Sequence, residues 1–456
     1  MASSRLIYNI KQLVNVRRES RVLRGREMAE LPCVDDAWVL VEGDRIAAYG
    51  PMSEMPERVT AMIGARSAPA YVGEPDFFNY GEFAAFRNVG VPVDNRAVED
   101  RGTDCRAVDA TGRLVLPAWC DSHTHLVYAE SRESEFVDKI RGMSYAEIAA
   151  RGGGILNSAR QVAAASEEEL FGDAWRRVQE LIRLGTGAME IKSGYGLSVE
   201  GELKMLRVIK RLKQAWSIPI KATFLGAHTY PTEYREDHDG YIRLITEEML
   251  PVIAREGLAD YIDVFCERGF FTVEETERIL RAGLKYGLKP KIHANQLHPS
   301  GGVETGVRLG AISVDHLETV DAGAIAALAG SDTIGTLLPT AAFFLRMPFQ
   351  PARELLDAGC AIALASDYNP GSSPSGNMNL VVAMSCIQMR MLPEEAINAA
   401  TLNGAYAMSL GDELGSITVG KRANFIITRP VPSLAFLPYA FGSNLVERVM
   451  IGGEFV

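Results

Sequence analysis

Short apolar runs, each followed by a charged amphipathic stretch, recur eight times from Leu114 to Ala365, and this alternation constrains the chain more than any other feature. The runs are Leu114–Cys120, Gly187–Ile191, Ile218–Leu225, Tyr261–Phe265, Lys289–Ile292, Ala311–Val314, Thr333–Leu338 and Ala361–Ala365. Helix-like segments separate them, including Glu168–Leu184, Glu200–Gln214, Tyr241–Glu256, Val273–Tyr286 and Pro351–Ala358. Two parallel strands need a crossover, and a helix is the usual one. Parallel strands covered on both faces read as continuous apolar runs. Eight such units over about 250–300 residues predict an α/β chain closed into a (β/α)8 TIM-like barrel. The alternative is an open doubly wound sheet. Eight runs, and no Gly-x-Gly-x-x-Gly after the first, favour the barrel.

Both flanks of this stretch read as β structure. Arg5–Val14 alternates loosely, and Gly43-Asp44 can turn a hairpin between Ala37–Leu40 and Arg45-Ile46. Short runs return at Gly415–Ile417, Ala423–Thr428 and Val446–Gly452. The economical arrangement is one small β-sandwich domain built by both ends, with the barrel between them. Residues 1–115 then supply its first part, 116–412 the barrel and 413–456 its second part. Ala65–Asp104 is rich in Gly, Pro, Asn and aromatics without a sustained period, and is expected to be a long insertion.

With 456 residues, 47% of them hydrophobic, the chain can bury a large core and needs no metal merely to fold. A metal would therefore serve chemistry. The net charge of −11 repels phosphate backbones, so nucleic acid is not an expected partner. No apolar stretch reaches about 18 residues, so no membrane span is expected. Six scattered cysteines without a Cys-x-x-Cys pair, and no signal-like segment, suit reduced thiols and a cytoplasmic protein.

Of the seven histidines, His123, His125, His228, His293 and His316 sit at or just past the ends of predicted strands, and Asp367 follows the eighth. All C-terminal strand ends of a barrel meet on one face, so these residues converge. In His123-x-His125 the side chains share one side of an extended backbone. An isolated pair of this kind is usually unremarkable; joined by His293 and Asp367 it becomes a metal-ligand set suited to zinc or iron, with room for water.

Pro117-x-x-x-Asp121-x-His123-x-His125, together with strand-end histidines on the fifth and sixth strands and Ser366-Asp367 on the eighth, resembles the amidohydrolase superfamily. Gly152-Gly153-Gly154-Ile155, Glu190–Leu197, Phe224-Leu225-Gly226-Ala227-His228 and Ser366–Ser372 resemble, more closely, the imidazolonepropionase family of histidine degradation. The resemblance implies hydrolysis of the ring C–N amide bond of 4-imidazolone-5-propanoate to N-formimidoyl-L-glutamate. It implies one zinc or iron ion per subunit on His123, His125, His293 and Asp367. His316 and Asp367 would move protons. Arg132 would hold the propanoate through a bidentate guanidinium contact. Tyr195, His228, Gln296, Asn369, Gly371 and Ser372 would contact substrate or product, with Tyr145 a further candidate. A homodimer acting on a small molecule is expected.

Gln296 weighs against a rival reading. Many deaminases of this superfamily carry a proton-shuttling glutamate three residues after the fifth-strand histidine; an amide there can orient a ring but not shuttle a proton. The fourth strand ends Val264-Phe265-Cys266-Glu267 without the lysine that binuclear relatives use, so one metal is favoured, although Glu267 keeps a second site open. Two alternatives remain: an aminohydrolase acting on an exocyclic amine of a purine, pyrimidine or triazine, and a silent assembly protein, which an intact ligand set disfavours.

Overall fold

The apolar runs become parallel strands because their residues are covered on both faces. The computed structural model describes residues 4–63, 67–68, 107–143, 147 and 153–456. Most of the expected insertion, Tyr145 and Gly152 lie outside the described residues.

Strands β1 (Ser4–Val14), β2 (Cys33–Glu42) and β3 (Arg45–Pro51) form an antiparallel meander, with Glu42 opposite Arg45 across the Gly43-Asp44 turn. Strands β4 (Ser67–Ala68) and β5 (Ala107–Asp109) pair parallel to each other, and β5 and β6 (Leu114–Pro117) pair parallel to β1. The barrel follows: β7 (Trp119–Thr124), β8 (Thr186–Lys192), β9 (Ile220–Ala227), β10 (Tyr261–Cys266), β11 (Lys289–Ala294), β12 (Ser313–His316), β13 (Ile334–Leu337) and β14 (Ile362–Leu364). Neighbours in this series pair in parallel and in chain order. Finally β15 (Phe425–Thr428), β16 (Val446–Ile451) and β17 (Glu454–Phe455) return to the first sheet, where β15 pairs with β6. Both ends of the chain thus share one sheet, with separate apolar clusters around Ile7, Val39 and Phe425 and around Leu6, Trp38 and Leu40.

Two expected elements come out differently. The run Leu114–Cys120 is two strands: Leu114–Pro117 belongs to the sheet of the chain ends, and the barrel begins at Trp119. Both halves are buried, so apolarity alone does not mark the break. Gly415–Ile417 makes only an isolated bridge, Ile417 to Val16.

Capped helices cover the barrel. Ser166 Oγ accepts the Glu169 N–H while Glu169 accepts that of Ser166, opening the helix Glu167–Arg183. Its buried face carries Leu170, Val178, Leu181 and Ile182, each worth about 1.5–3 kcal/mol when removed from water. The expected helix Tyr241–Glu256 contains a π-helical stretch, Leu244–Met249. Pro251 has no N–H to continue the α-helical ladder, which accounts for the shift.

Closure of the barrel builds the site. The Asp367 N–H donates to the His123 carbonyl at 3.0 Å, and the His125 N–H donates to the Tyr368 carbonyl at 2.8 Å. The first and eighth strands are therefore stitched together at the residues whose side chains face one another.

Candidate metal centre

Four strand ends bring His123, His125, His293, His316 and Asp367 together in one buried cluster at the C-terminal face of the barrel. His123 lies within β7 and His293 within β11, His316 ends β12, and Asp367 follows β14 by three residues. His125 Nε2 is 3.3 Å from His123 Nε2. Asp367 Oδ1 is 3.4 Å from His123 Nε2 and 3.6 Å from His125 Nε2. Asn295, His316, Leu317 and Asp367 all hold left-handed φ angles, 56°, 90°, 66° and 52°. Strain of this kind costs about 1–3 kcal/mol per residue and persists where surrounding contacts over-determine the backbone.

The imidazoles are held neutral, the form in which they could serve as metal ligands. Burial, reinforced by neighbouring cations, holds His123, His125 and His293 well below the usual histidine pKa. His125 Nδ1 and both ring nitrogens of His293 are buried without a hydrogen-bond partner. In each neutral ring one nitrogen carries a lone pair that a cation can take while the other keeps its proton, so at His293 a bound cation would answer one of the two orphaned atoms. Three neutral imidazoles and a carboxylate fit a divalent zinc or iron ion. Burial pushes the Asp367 carboxyl up to about 6, opposed by His316 and by hydrogen bonds from Ser372 and Asn369. A cation alongside would return it to the carboxylate form.

Asp121, from the Asp-x-His-x-His motif, supports this arrangement from beneath. It accepts the Ser366 N–H at 3.0 Å and the Ser366 hydroxyl at 2.6 Å. That fixes the turn carrying Asp367.

A cavity opens onto the cluster, lined also by Tyr195, His228, Gln296, Asn369, Ser372 and Phe265. Tyr195 projects from a turn whose N–H groups at Gly194, Gly196 and Leu197 all donate to the buried Glu202 carboxylate. Gly196 packs directly on the helix Val199–Ala215: a Cβ there would sit 2.2 Å from the Glu202 nitrogen. His228 donates Nδ1–H to the Gly194 carbonyl at 3.0 Å, and burial pushes its pKa down to about 4. Its ring stacks on that of His125 at 5.5 Å between centroids. Asn369 Oδ1 accepts the N–H groups of Gly371 and Ser372, both at 2.8 Å, ordering that loop. The Ser372 hydroxyl donates to Asp367 Oδ2 at 3.3 Å.

Arg132 and Gly371 are not among the lining residues. Arg132 donates through Nε and Nη2 to Glu135 Oε2, at 2.9 and 2.6 Å, and Glu135 Oε1 takes the Gly154 N–H at 2.8 Å. A Cβ at Gly371 would meet Arg132 Nη1 at 2.2 Å, so glycine lets the guanidinium lie against that loop. Glu267, kept open above as a ligand for a second metal, is occupied by the N–H groups of Arg268, Leu297 and His298. It shapes the loop that carries Gln296.

Several functional side chains escape a reading by sequence. His316 Nδ1 faces Glu318 Oε1 at 3.4 Å, and Gln350 donates to the same oxygen at 3.0 Å. Glu202 and Glu135 look like ordinary helix-surface acids until the turns they hold are seen.

The amidohydrolase family profile matches residues 114–456. An imidazolonepropionase of Flavobacterium johnsoniae is 52% identical over 99% of both chains. The namesake of Christiangramia forsetii is 50% identical over 99% of both, and that of a Geobacillus strain 39% identical over 99% of this chain and 97% of its own. Among solved structures, Escherichia coli guanine deaminase superposes with a TM-score of 0.69 at 13% identity, covering 100% of this chain and 99% of its own. An adenosine deaminase from Xanthomonas campestris with bound zinc gives 0.62 at 17% identity, covering 99% and 92%. At those identities the likeness speaks for the fold alone.

Proposed function

The chain belongs to the amidohydrolase family and, within it, to the imidazolonepropionases; from that footing we propose that the site hydrolyses 4-imidazolone-5-propanoate to N-formimidoyl-L-glutamate with one zinc or iron ion on His123, His125, His293 and Asp367. The observation that carries the assignment of residues is the buried convergence on His123, which stands within ligand distance of His125 and Asp367 in one group and of His293 and His316 in another. When bound, the cation polarises the lactam carbonyl and lowers the pKa of water.

The remaining steps fall to the side chains. Water adds to the ring carbonyl carbon, the C–N bond breaks, and the freed ring nitrogen takes a proton as the carboxylate of the product forms. His316 is held through Nδ1 by Glu318, which leaves Nε2 to accept the proton of the attacking water and return it to the departing nitrogen. Tyr195 stays a neutral hydroxyl, because burial raises its pKa above the usual phenol value. It can therefore donate to the ring or to the carbonyl. Gln296 and His228 orient the ring edge. The Asn369–Ser372 loop offers the Ser372 hydroxyl to the new carboxylate, on a backbone ordered by Asn369.

Arg132 is assigned the propanoate tail, with Glu135 fixing its guanidinium. Arg132→Met should raise KM, and should lower kcat as well if the tail helps align the ring. Loss of one desolvated charge pair costs on the order of 2–5 kcal/mol. A change below about twofold in kcat/KM would assign the tail to another group.

Freshly prepared imidazolonepropionate tests the whole reading. Loss of the imidazolone with appearance of formimidoylglutamate, and no ammonia, is expected. Ammonia release from a purine, pyrimidine or triazine would favour the aminohydrolase alternative. The five cysteines among the described residues are all free, which accords with a reducing, cytoplasmic setting as part of this proposal.

A further inference from the structure

Beneath the metal-ligand cluster, beside Asp121, the barrel interior holds a linked set of ionisable side chains with no solvent contact: Glu190, Lys192, Asp263, Lys291 and Asp315. Charges buried this completely are costly, and breaking such a set strands the survivors. Lys192 Nζ is 2.6 Å from Glu190 Oε1, 2.8 Å from Asp263 Oδ2 and 3.5 Å from Asp315 Oδ2. Each aspartate faces the Nδ1 of a different ligand histidine. Asp315 Oδ2 is 2.7 Å from His123 Nδ1, and its Oδ1 accepts the Ser313 hydroxyl at 2.6 Å. Asp263 Oδ2 is 2.9 Å from His293 Nδ1, close but out of line for a hydrogen bond, while its Oδ1 accepts the His293 N–H at 3.1 Å. Lys291 answers Glu190 and the Ser122 carbonyl and lies farther from Asp315, 4.0 Å from its Oδ2, so Lys192 alone reaches both aspartates.

We propose that Lys192 is a positioning residue for the metal centre: one ammonium on β8 gathers Asp263 of β10 and Asp315 of β12, and through them sets the ring orientation and tautomer of His293 and His123. This rests on the metal assignment made above and deepens it. At His123 the Asp315 carboxylate on Nδ1 keeps the proton there and directs the Nε2 lone pair toward the cation; at His293 the Asp263 charge beside Nδ1 favours the same tautomer without an aligned hydrogen bond. Two carboxylates so close together repel, and a shared cation lets both remain at their imidazoles. Lys192 can play this part because Asp263, Glu190 and Asp315 outweigh the burial that opposes its charge.

The test measures zinc affinity of the apoprotein by chelator competition, alongside thermal unfolding and steady-state kinetics. Lys192→Met should weaken zinc binding by about 10–100-fold, the range found when partners of ligand side chains are removed. With zinc restored to saturation, kcat should stay depressed while KM remains within about twofold, because the substrate contacts are untouched. Asp315→Asn should weaken zinc alone, and the double variant Lys192→Met/Asp315→Asn should lose less than the sum of the single losses. A role confined to packing would lower the melting temperature and leave zinc affinity and kcat at saturation unchanged, which overturns the proposal. Should Lys192→Met not fold, the near-isosteric Asp315→Asn and Asp263→Asn decide the matter: unchanged zinc affinity in both also overturns it. Wild-type protein that holds no zinc, or an Asp367→Ala variant that holds it undiminished, would instead undo the ligand assignment.

Discussion

Asp367→Ala should abolish measurable hydrolysis and strip metal from the purified protein. The residue sits where the first and eighth strands are stitched together, its N–H on the His123 carbonyl and its Oδ1 within 3.4 Å of His123 Nε2 and 3.6 Å of His125 Nε2. Its other oxygen receives the Ser372 hydroxyl, so one carboxylate serves the ligand set and the product loop together. Removing it takes away the anion that balances a divalent cation and a candidate proton acceptor at once. A fall in kcat on the order of 10⁴ is expected, the upper end of what a lost proton-transfer group costs, with metal loss adding to it. Asp367→Asn separates the two parts. Its amide oxygen can still approach the cation but cannot take a proton. Substantial metal retention with the same collapse of kcat would assign Asp367 to proton transfer as well as to ligation. Full activity of Asp367→Ala, or of chelated protein free of metal, would end the metal reading. A left-handed φ of 52° suits aspartate or asparagine better than alanine, so thermal unfolding is measured beside activity and Asp367→Asn serves as the backbone-compatible variant; the turn itself is held by Asp121 through Ser366.

The barrel was legible because parallel strands covered on both faces leave nearly continuous apolar runs, separated by charged amphipathic stretches; the capping boxes at Ser166 and Thr272 emerge from the structure and carry none of that reading. The break between Leu114–Pro117 and Trp119–Thr124 was not legible, because two buried strands of different sheets adjoin with only Ala118 between them. The proposed ligand set stood out because histidine is rare and falls at strand ends. The residues that hold it in place did not. Glu190-x-Lys192, Ser313-x-Asp315 and Lys291-x-His293 carry a signal in hindsight: polar pairs two apart within apolar strands point inward together. Their partners lie on other strands, so distance in space, invisible in one dimension, decides what they do. Glu135 and Glu202 are harder still. Each sits in the first turn of a helix, where acidic residues are ordinary, and only the turns around Arg132 and Tyr195 reveal their use.

His316→Asn should keep the fold and most of the bound metal, and still lower kcat by about 10²–10⁴. The argument turns on which neighbours hold each nitrogen. Glu318 engages Nδ1 and is itself fixed by Gln350, so the ring presents Nε2 to the cavity it lines. Burial opposes a charge on His316, but Glu318, with Asp367 and Asp315, outweighs it and raises the pKa above the usual histidine value. A base works only when deprotonated, so activity falls as pH drops through that pKa. Replacing Glu318 by glutamine removes the leading cause of the rise, and the acid limb of kcat/KM should move to lower pH. Glu318 also raises the pKa of Asp367, so a shift by itself would suit either group. His316→Asn divides them: the limb disappears from its profile if His316 is the base, and persists if Asp367 is. Metal-to-protein ratio measured on the kinetic samples closes the remaining route, because a permanent ligand would lose metal in parallel with activity. Near-normal kcat at full metal content would remove His316 from proton transfer and leave Asp367 to carry it.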